Sequence, residues 1–451
     1  AQGVLDAEDS TRAEVNAAME ELQYAMRNLA TRPDGLPDGV EKVPYRMDTL
    51  NQAGWWAPLA VDGDTAYLAY NEPSVREGNH HIAVAVRDGG GNWSKLPAMN
   101  GAARAEYIDD LGHNQPSIAL DGNGILHMFA SMHNDTWRYF ALDPVSGTMQ
   151  NRSADMPDQG DLLTYPVTAR DPNGDVWLII RSAASDRRVG KLYRYDHEQK
   201  TWTKEAIFAS APGRSVYPDD MLVDGEGNVH ILFEWAPNPA AAVRHELSYL
   251  KYDPDTKTFH KADGTAVEAP VTPETADVIQ PLTEGEGYND TFGVQSAKLV
   301  LDENGRPMVA YRYRSADSQG MFVVKFARFT GEAWETETVF RLAETKAAID
   351  ITHHASGTRI YYVLASGQDC ARVAVRQGEG WVNASVAPGI PAERLSAVTN
   401  DSGVDILYLA DVENEALYYA ELDSVDLEGD IPPAPTGLVT TGVSNLRVDL
   451  A

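Results

Sequence analysis

A tight-turn signature followed by a β-rich run returns again and again along this chain of 451 residues. That repetition predicts an all-β fold, a seven-bladed β-propeller, with an N-terminal α-helical extension. The turns are Asp62-Gly63-Asp64, Asp121 to Gly124, Asp171 to Gly174, Asp224 to Gly227 and Asp302 to Gly305, with weaker copies at Ser356-Gly357 and Asp401 to Gly403. They recur at roughly 50-residue spacing, the length of a four-stranded blade. Short apolar strands such as Pro116 to Leu120 and Met221 to Val223 precede them, β-branched or aromatic strands follow, and Trp93, Trp202 and Trp334 close later strands.

Each element has a local cause. Asp, Asn and Gly clusters supply the positive φ that tight hairpins need. Residues 6–31 carry Ala, Glu, Met and Leu at helical spacing, with Asp9 or Ser10 as N-cap and Arg32-Pro33 as a stop, so a helix is expected outside the propeller. This divides the chain into a helical segment and lead-in (1–50), a catalytic propeller (51–428) and a linker or closing tail (429–451). The long interval between the turns at 224 and 302 contains Asp263 to Tyr288, rich in Pro, Glu, Gly and Thr, and reads as a loop over one face. Pro432-Pro433-Ala434-Pro435 has a linker composition, after which the tail either closes the final blade or leads to another module.

Composition narrows the partners. Lys plus Arg number 37 against 67 Asp plus Glu, a formal charge of −30. Such a surface repels nucleic acid and anionic lipid. No apolar run approaches the ~18 residues of a membrane span. Cys370 stands alone, which excludes an internal disulfide framework and a thiolate-rich metal site. The start at Ala1 reads as a processed chain, and a secreted or periplasmic monomer is expected.

Repetition also places residues on one rim, because the start of each first strand and the end of each second strand lie at the same face. The first-strand starts read His113-Asn114-Gln115-Pro116, Tyr165-Pro166, Tyr217-Pro218 and Gln295-Ser296. The second-strand ends read Asn71-Glu72, His133-Asn134, Arg181, Glu234-Trp235, then Arg312 and Arg314. Two His, two Tyr, amides and several Arg suit an acidic sugar chain, since guanidinium forks pair carboxylate or sulfate bidentately. Asn114, Gln115, Asn134, Tyr217, Trp235, Arg214, Arg244 and Arg312 are the expected substrate-binding residues. His127 and His230 share a mid-strand repeat position and read as scaffold. His80, His81, His197 and His260 read as loop or surface residues, and the vicinal His353-His354 is a poor metal signature. The acidic turns leave room for a structural calcium ion, although turn geometry explains them, and no catalytic metal is expected. Gly89-Gly90-Gly91 is a hairpin loop rather than a phosphate cradle.

The stretch Gly112-His113-Asn114-Gln115-Pro116, the turn Asp121 to Gly124 and Met132-His133-Asn134 resemble the ulvan lyase-like propeller polysaccharide lyases, relatives of the BNR-repeat propellers. So do Thr164-Tyr165-Pro166, Arg181 and Leu192-Tyr193-Arg194-Tyr195. The likeness is strongest over residues 110–250. It implies a secreted enzyme acting on a sulfated rhamnose–uronate polymer, with His113, His133, Tyr165 and Arg181 as the catalytic group. The family's usual Tyr-Arg-Asp-Gly is here Ile180-Arg181-Ser182-Ala183, and a zinc site built on cysteines cannot form with Cys370 alone.

The chemistry expected of these residue types is β-elimination: loss of the C5 proton of a uronate and of the O4 glycoside. The neighbouring carboxylate must first be neutralised, a task for Arg181 helped by a His or Gln115. Tyr165 and His133 are base and acid candidates in either order, Tyr165 with a pKa lowered by a neighbouring cation, while His113 orients or neutralises. Two rivals stand beside this reading. One is an α-L-rhamnosidase-type hydrolase, for which Glu72 and Glu234 are the only evident rim carboxylates. The other is a non-catalytic carbohydrate-binding propeller.

Overall fold

The computed structural model describes residues 36–49, 56–110, 113–239, 243–283, 285–288, 291–366, 370–378, 380–423, 440–444 and 447–450. The expected helix at 6–31 and the Pro432 to Pro435 linker lie outside them. Among the described residues the regular structure is strand, apart from one 3-10 turn at Ser153–Asp155.

The strands form consecutive antiparallel meanders. The first runs Leu59–Asp62, Thr65–Pro73, Asn79–Arg87 and Trp93–Asn100. The second runs Ser117–Leu120, Leu126–Phe129, Tyr139–Asp143 and Thr148–Asn151, and the third Leu163–Arg170, Val176–Ala183, Arg188–Asp196 and Thr201–Ala209. The innermost strands of the next four are Arg214–Val223, Gly293–Leu301, Thr345–His354 and Arg394–Thr399. Each innermost strand packs beside the next, and Arg394–Thr399 returns to Leu59–Asp62, so the circuit closes into a propeller.

The turns explain why this sequence makes hairpins there. The Asp121 Oδ1 accepts from the backbone N–H groups of Asn123 and Ile125, and Asp171, Asp224 and Asp302 repeat the pattern two and four residues on. The glycine that ends the turn sits at positive φ, as Gly174 does at 100°, where any Cβ would also meet the Gly122 Cα at 2.5 Å.

Alternation along the strands sends side chains into the spaces between neighbouring meanders. Trp177, Ile179, Val216, Phe233 and Trp235 fill the space between the third and fourth, while Leu59, Leu68, Tyr408 and Leu417 fill that between the first and last. The apolar core is therefore a ring of wedges.

Three expectations are corrected. The last meander, Arg394–Thr399, Asp405–Asp411 and Ala416–Leu422, takes its fourth strand from Val40–Lys42, which pairs Val40 with Ala420 and Lys42 with Tyr418. The propeller thus draws on the 1–50 lead-in and begins upstream of residue 51. The tail does not supply that strand, because Thr440–Ser444 and Arg447–Leu450 pair with each other. Finally, the interval read as a loop holds Ala266–Val267 and Asp277–Gln280, and the latter pairs with His245–Asp253 at the edge of the fourth meander.

Candidate active site

Short irregularities in the strands bring the predicted residues together. His133–Asp135 leaves the second meander and pairs with the first strand of the third, His133 opposite Thr164. Asn134, at φ 56°, donates its N–H to the Thr164 hydroxyl at 2.9 Å. The register between Thr164 and Val167 then slips, and Tyr165 sits in this bulge at φ 62°. A non-glycine residue there costs of order 1–3 kcal/mol, and such strain collects at functional sites. Arg181 lies opposite Thr164 on the neighbouring strand.

His113, His133, Tyr165 and Arg181 accordingly converge. The two imidazoles stack with centroids 4.0 Å apart and planes within 10°. Tyr165 lies 5.9 Å from His113 and 6.4 Å from His133, centroid to centroid. Trp56 stacks on the Tyr165 ring at 5.4 Å, and Tyr217 follows at 5.5 Å. The Arg181 guanidinium lies 4.4 Å from the Tyr165 ring and 4.7 Å from the Tyr217 ring, and Arg244 covers Tyr217 at 4.4 Å. Arg181 is buried, yet its Nε and Nη1 atoms have no hydrogen-bond partner. The Asn114 Nδ2, both polar atoms of the Gln115 amide and the Asn134 Oδ1 are likewise buried and unsatisfied. Buried polar atoms without partners are rare and call for a ligand or ordered water.

Arg244 is held by a close backbone approach. It exchanges hydrogen bonds with Val294 at 3.0 and 2.7 Å, and a Cβ on Gly293 would stand 2.2 Å from the Arg244 carbonyl oxygen. Only glycine fits there.

Burial dominates the site's ionisation. It pushes the Tyr165 phenol up despite the opposing pull of Arg181 and Arg244, which corrects the expectation of a lowered value. Burial, then the neighbouring His133, holds His113 below the usual imidazole range, so it is neutral near pH 7 and ill suited to neutralise a carboxylate. That task falls to the guanidinium.

Several predicted residues stand elsewhere. Trp235 is fully buried, with Nε1 donating to the Ser248 hydroxyl at 3.3 Å. Alternation turns it into the core and its neighbour Glu234 toward the axis, so it offers no sugar platform. Arg312 is buried with its donors taken by Gln295 and by the hydroxyl and carbonyl of Thr345, so its fork is spent internally. Arg214, the first residue of the fourth meander's innermost strand, covers Tyr288 at 3.5 Å. Glu72 is a structural acid: Lys95 and Arg104 hold its pKa down to about 2 against burial. Glu234 is raised by burial, which Arg244 opposes. His80, read as a surface residue, is fully buried.

Asp110 and Trp56 were not among the expected site residues. The signal for Asp110 was an acid three residues before a candidate histidine. Among the described residues, Asp110, His113 and His133 bring possible ligand atoms within 4.8 Å of one another. The rings are parallel, however, and an ion between them would lie out of both planes, where imidazole offers no lone pair. A metal would require one ring to turn. A larger axial cavity of about 570 Å³ opens at the other end, lined by Asp220, Lys298 and Asp350. Lys298 there donates to the Trp56 carbonyl at 3.1 Å and pairs with Asp220 at 3.7 Å, so the histidine cleft is the stronger candidate.

Fold and cleft together define a propeller with an arginine–tyrosine–histidine pocket on one rim. The chain belongs to the BNR repeat-containing family, whose model matches residues 65–342, more than half of its length. Solved structures similar in fold include an ulvan lyase of polysaccharide lyase family PL25, with a TM-score of 0.64 and 15% identity over 87% of this chain and 100% of that one. The same kind of lyase bound to -[GlcA(1-4)Rha3S]- gives 0.64 and 14% over the same shares. The polysaccharide lyase Uly1 gives 0.62 and 15% over 81% of this chain and 90% of that one. No curated protein sequence matches the chain.

Proposed function

We propose that the protein is a secreted, monomeric polysaccharide lyase built on a seven-bladed propeller, cleaving a sulfated rhamnose–uronate chain of the ulvan type by β-elimination. The observation that carries this reading is Arg181, buried with two unpartnered donor atoms beside the stacked histidines and Tyr165. Its vacant fork suits a uronate carboxylate, and neutralising that group acidifies the C5–H. The Nε2 atom of His133 takes the C5 proton, the electron pair forms the C4=C5 double bond, and the C4–O4 bond breaks. The Tyr165 phenol, kept protonated by burial, gives its proton to the departing O4. His113 supports the base, and Asn114, Gln115, Asn134, Tyr217 and Arg244 line the sugar path. The likeness in fold to ulvan lyases supports the choice of substrate. This chemistry needs no metal.

The test is incubation with ulvan while following ultraviolet absorbance and reducing ends. Both rise for a lyase. Reducing ends alone would mean a hydrolase, and neither rising would reject ulvan cleavage and favour a binding module.

A further inference from the structure

The chemistry above leaves Asp110 unused, yet this residue meets both imidazoles. Its Oδ2 makes a short hydrogen-bond contact with the His133 Nδ1, and its Oδ1 lies 3.6 Å from the His113 Nδ1. The His113 Nδ1 is also 3.1 Å from the Asp110 carbonyl oxygen. A carbonyl only accepts, so the His113 Nδ1 must carry a proton. A carboxylate only accepts, so the His133 Nδ1 must carry one too. The neutral form of each ring is then the Nδ1–H tautomer, with its Nε2 lone pair directed away from Asp110.

A buried chain holds this arrangement. Asp109, next to Asp110, accepts from the His80 Nδ1 at 2.8 Å, and the His80 Nε2 accepts from the Ser131 hydroxyl at 2.7 Å. Ser131 stands two residues before His133, at φ 58°, and its N–H donates to the Asn114 carbonyl at 3.2 Å. The chain therefore links the Asp109-Asp110 pair to the backbone that carries His113 and His133. Its order is that of an acyl-transfer triad. Ser131 is 1% exposed and His80 fully buried, so the hydroxyl meets no substrate and the chain serves as an anchor.

We propose that Asp110 is the positioning residue of the histidine pair, fixing both rings as Nδ1–H tautomers, and that the Ser131–His80–Asp109 chain holds Asp110 and His133 in register. The kinetic consequence rests on the lyase reading; the tautomers do not. The charged and titratable groups facing the pair are Asp110, Tyr165 and Arg181, while Asp135 is paired with Arg138 at 3.1 Å.

The experiment compares the full chain with Asp110→Asn, using imidazole nitrogen NMR and steady-state kinetics on ulvan. In the wild type both histidines should be Nδ1–H tautomers. In Asp110→Asn, which is nearly isosteric at a half-exposed position, His133 should lose that preference. Turnover should fall by roughly 10²–10⁴-fold, the upper end being the loss seen when an imidazole loses its orienting carboxylate. KM should stay within about twofold, since the loss falls on the reacting geometry. A wild-type Nε2–H tautomer at either histidine would overturn the proposal even if the variant failed to fold. So would an unchanged His133 tautomer in a folded Asp110→Asn. If the wild type left ulvan uncut while the tautomers shifted as expected, the lyase reading would fail and the positioning role would stand.

Discussion

Tyr165 combines a strained backbone, a buried phenol and two neighbouring guanidinium groups, and that combination makes its hydroxyl the sharpest target. Tyr165→Phe keeps the ring stacked on Trp56 and removes only the oxygen. Turnover should drop roughly 10²–10⁴-fold with the fold intact, the usual worth of a positioned proton-transfer group. Near-normal rates would reject the role. Arg181→Ala should fail similarly and also bind more weakly, whereas Trp235→Phe should change stability more than affinity. His80 supplies a pH signature. Burial holds its pKa near 4 in the fold, against 6.5 in the unfolded chain. Between those values the unfolded state binds a proton that the folded state refuses, so the stability from neutral His80 is complete above about pH 6.5 and is lost as pH falls toward 4. Asp350, raised by burial to about 6, acts with the opposite sign, so the comparison must be with His80→Gln. Wild type should lose stability relative to that variant across the window, and parallel curves would contradict the assignment.

At the scale of single elements, the hairpin turns are tied to the strands behind them. The His127 Nδ1 accepts from the Tyr139 hydroxyl at 2.6 Å while its Nε2 faces Asp121 at 3.4 Å. His230 repeats this between Tyr249, at 2.7 Å, and Asp224, at 3.1 Å. The third meander uses Trp177 instead, donating Nε1 to Asp171 at 3.1 Å. The mid-strand scaffold reading of His127 and His230 agrees with these contacts. His127→Ala should leave a cavity and an unpaired buried hydroxyl, costing about 2–4 kcal/mol in denaturant unfolding. Turnover of the folded fraction should remain near wild type, and a selective loss of activity would place His127 in the chemistry instead.

The whole molecule depends on ring closure. Val40–Lys42 zips onto Ala416–Leu422, joining the two ends of the propeller through backbone hydrogen bonds such as Glu421 N–H to the Gly39 carbonyl at 3.0 Å. Val40→Cys with Ala420→Cys places two thiols on directly opposed residues. Oxidation should form a disulfide and stabilise the protein by about 2–4 kcal/mol through a very long closed loop. Failure to cross-link would contradict the register. The net charge of −30 is compatible with an anionic ligand because the guanidinium groups of Arg181 and Arg244 are concentrated where the low-dielectric pocket focuses their field.

The repeat was legible because turn chemistry is local: an Asp that caps its own turn and a Gly that must take positive φ announce each hairpin within a few residues. The convergence of His113, Tyr165 and Arg181 followed from equivalent repeat positions, and that much the sequence by itself determined, whereas His133 joins them because its short strand leaves its own meander to pair with Thr164. Tertiary structure decided the rest. Whether Trp235 faces sugar or core depends on register, and one residue of alternation moves it from the cleft to a wedge. Whether Arg312 offers a free fork depends on Thr345, a neighbour from the next meander. Asp110 and His80 carried no repeat signature, because their partners come from other strands. The closing strand was hidden for the same reason: three residues near one end acquire a structure only when the other end has come round to meet them.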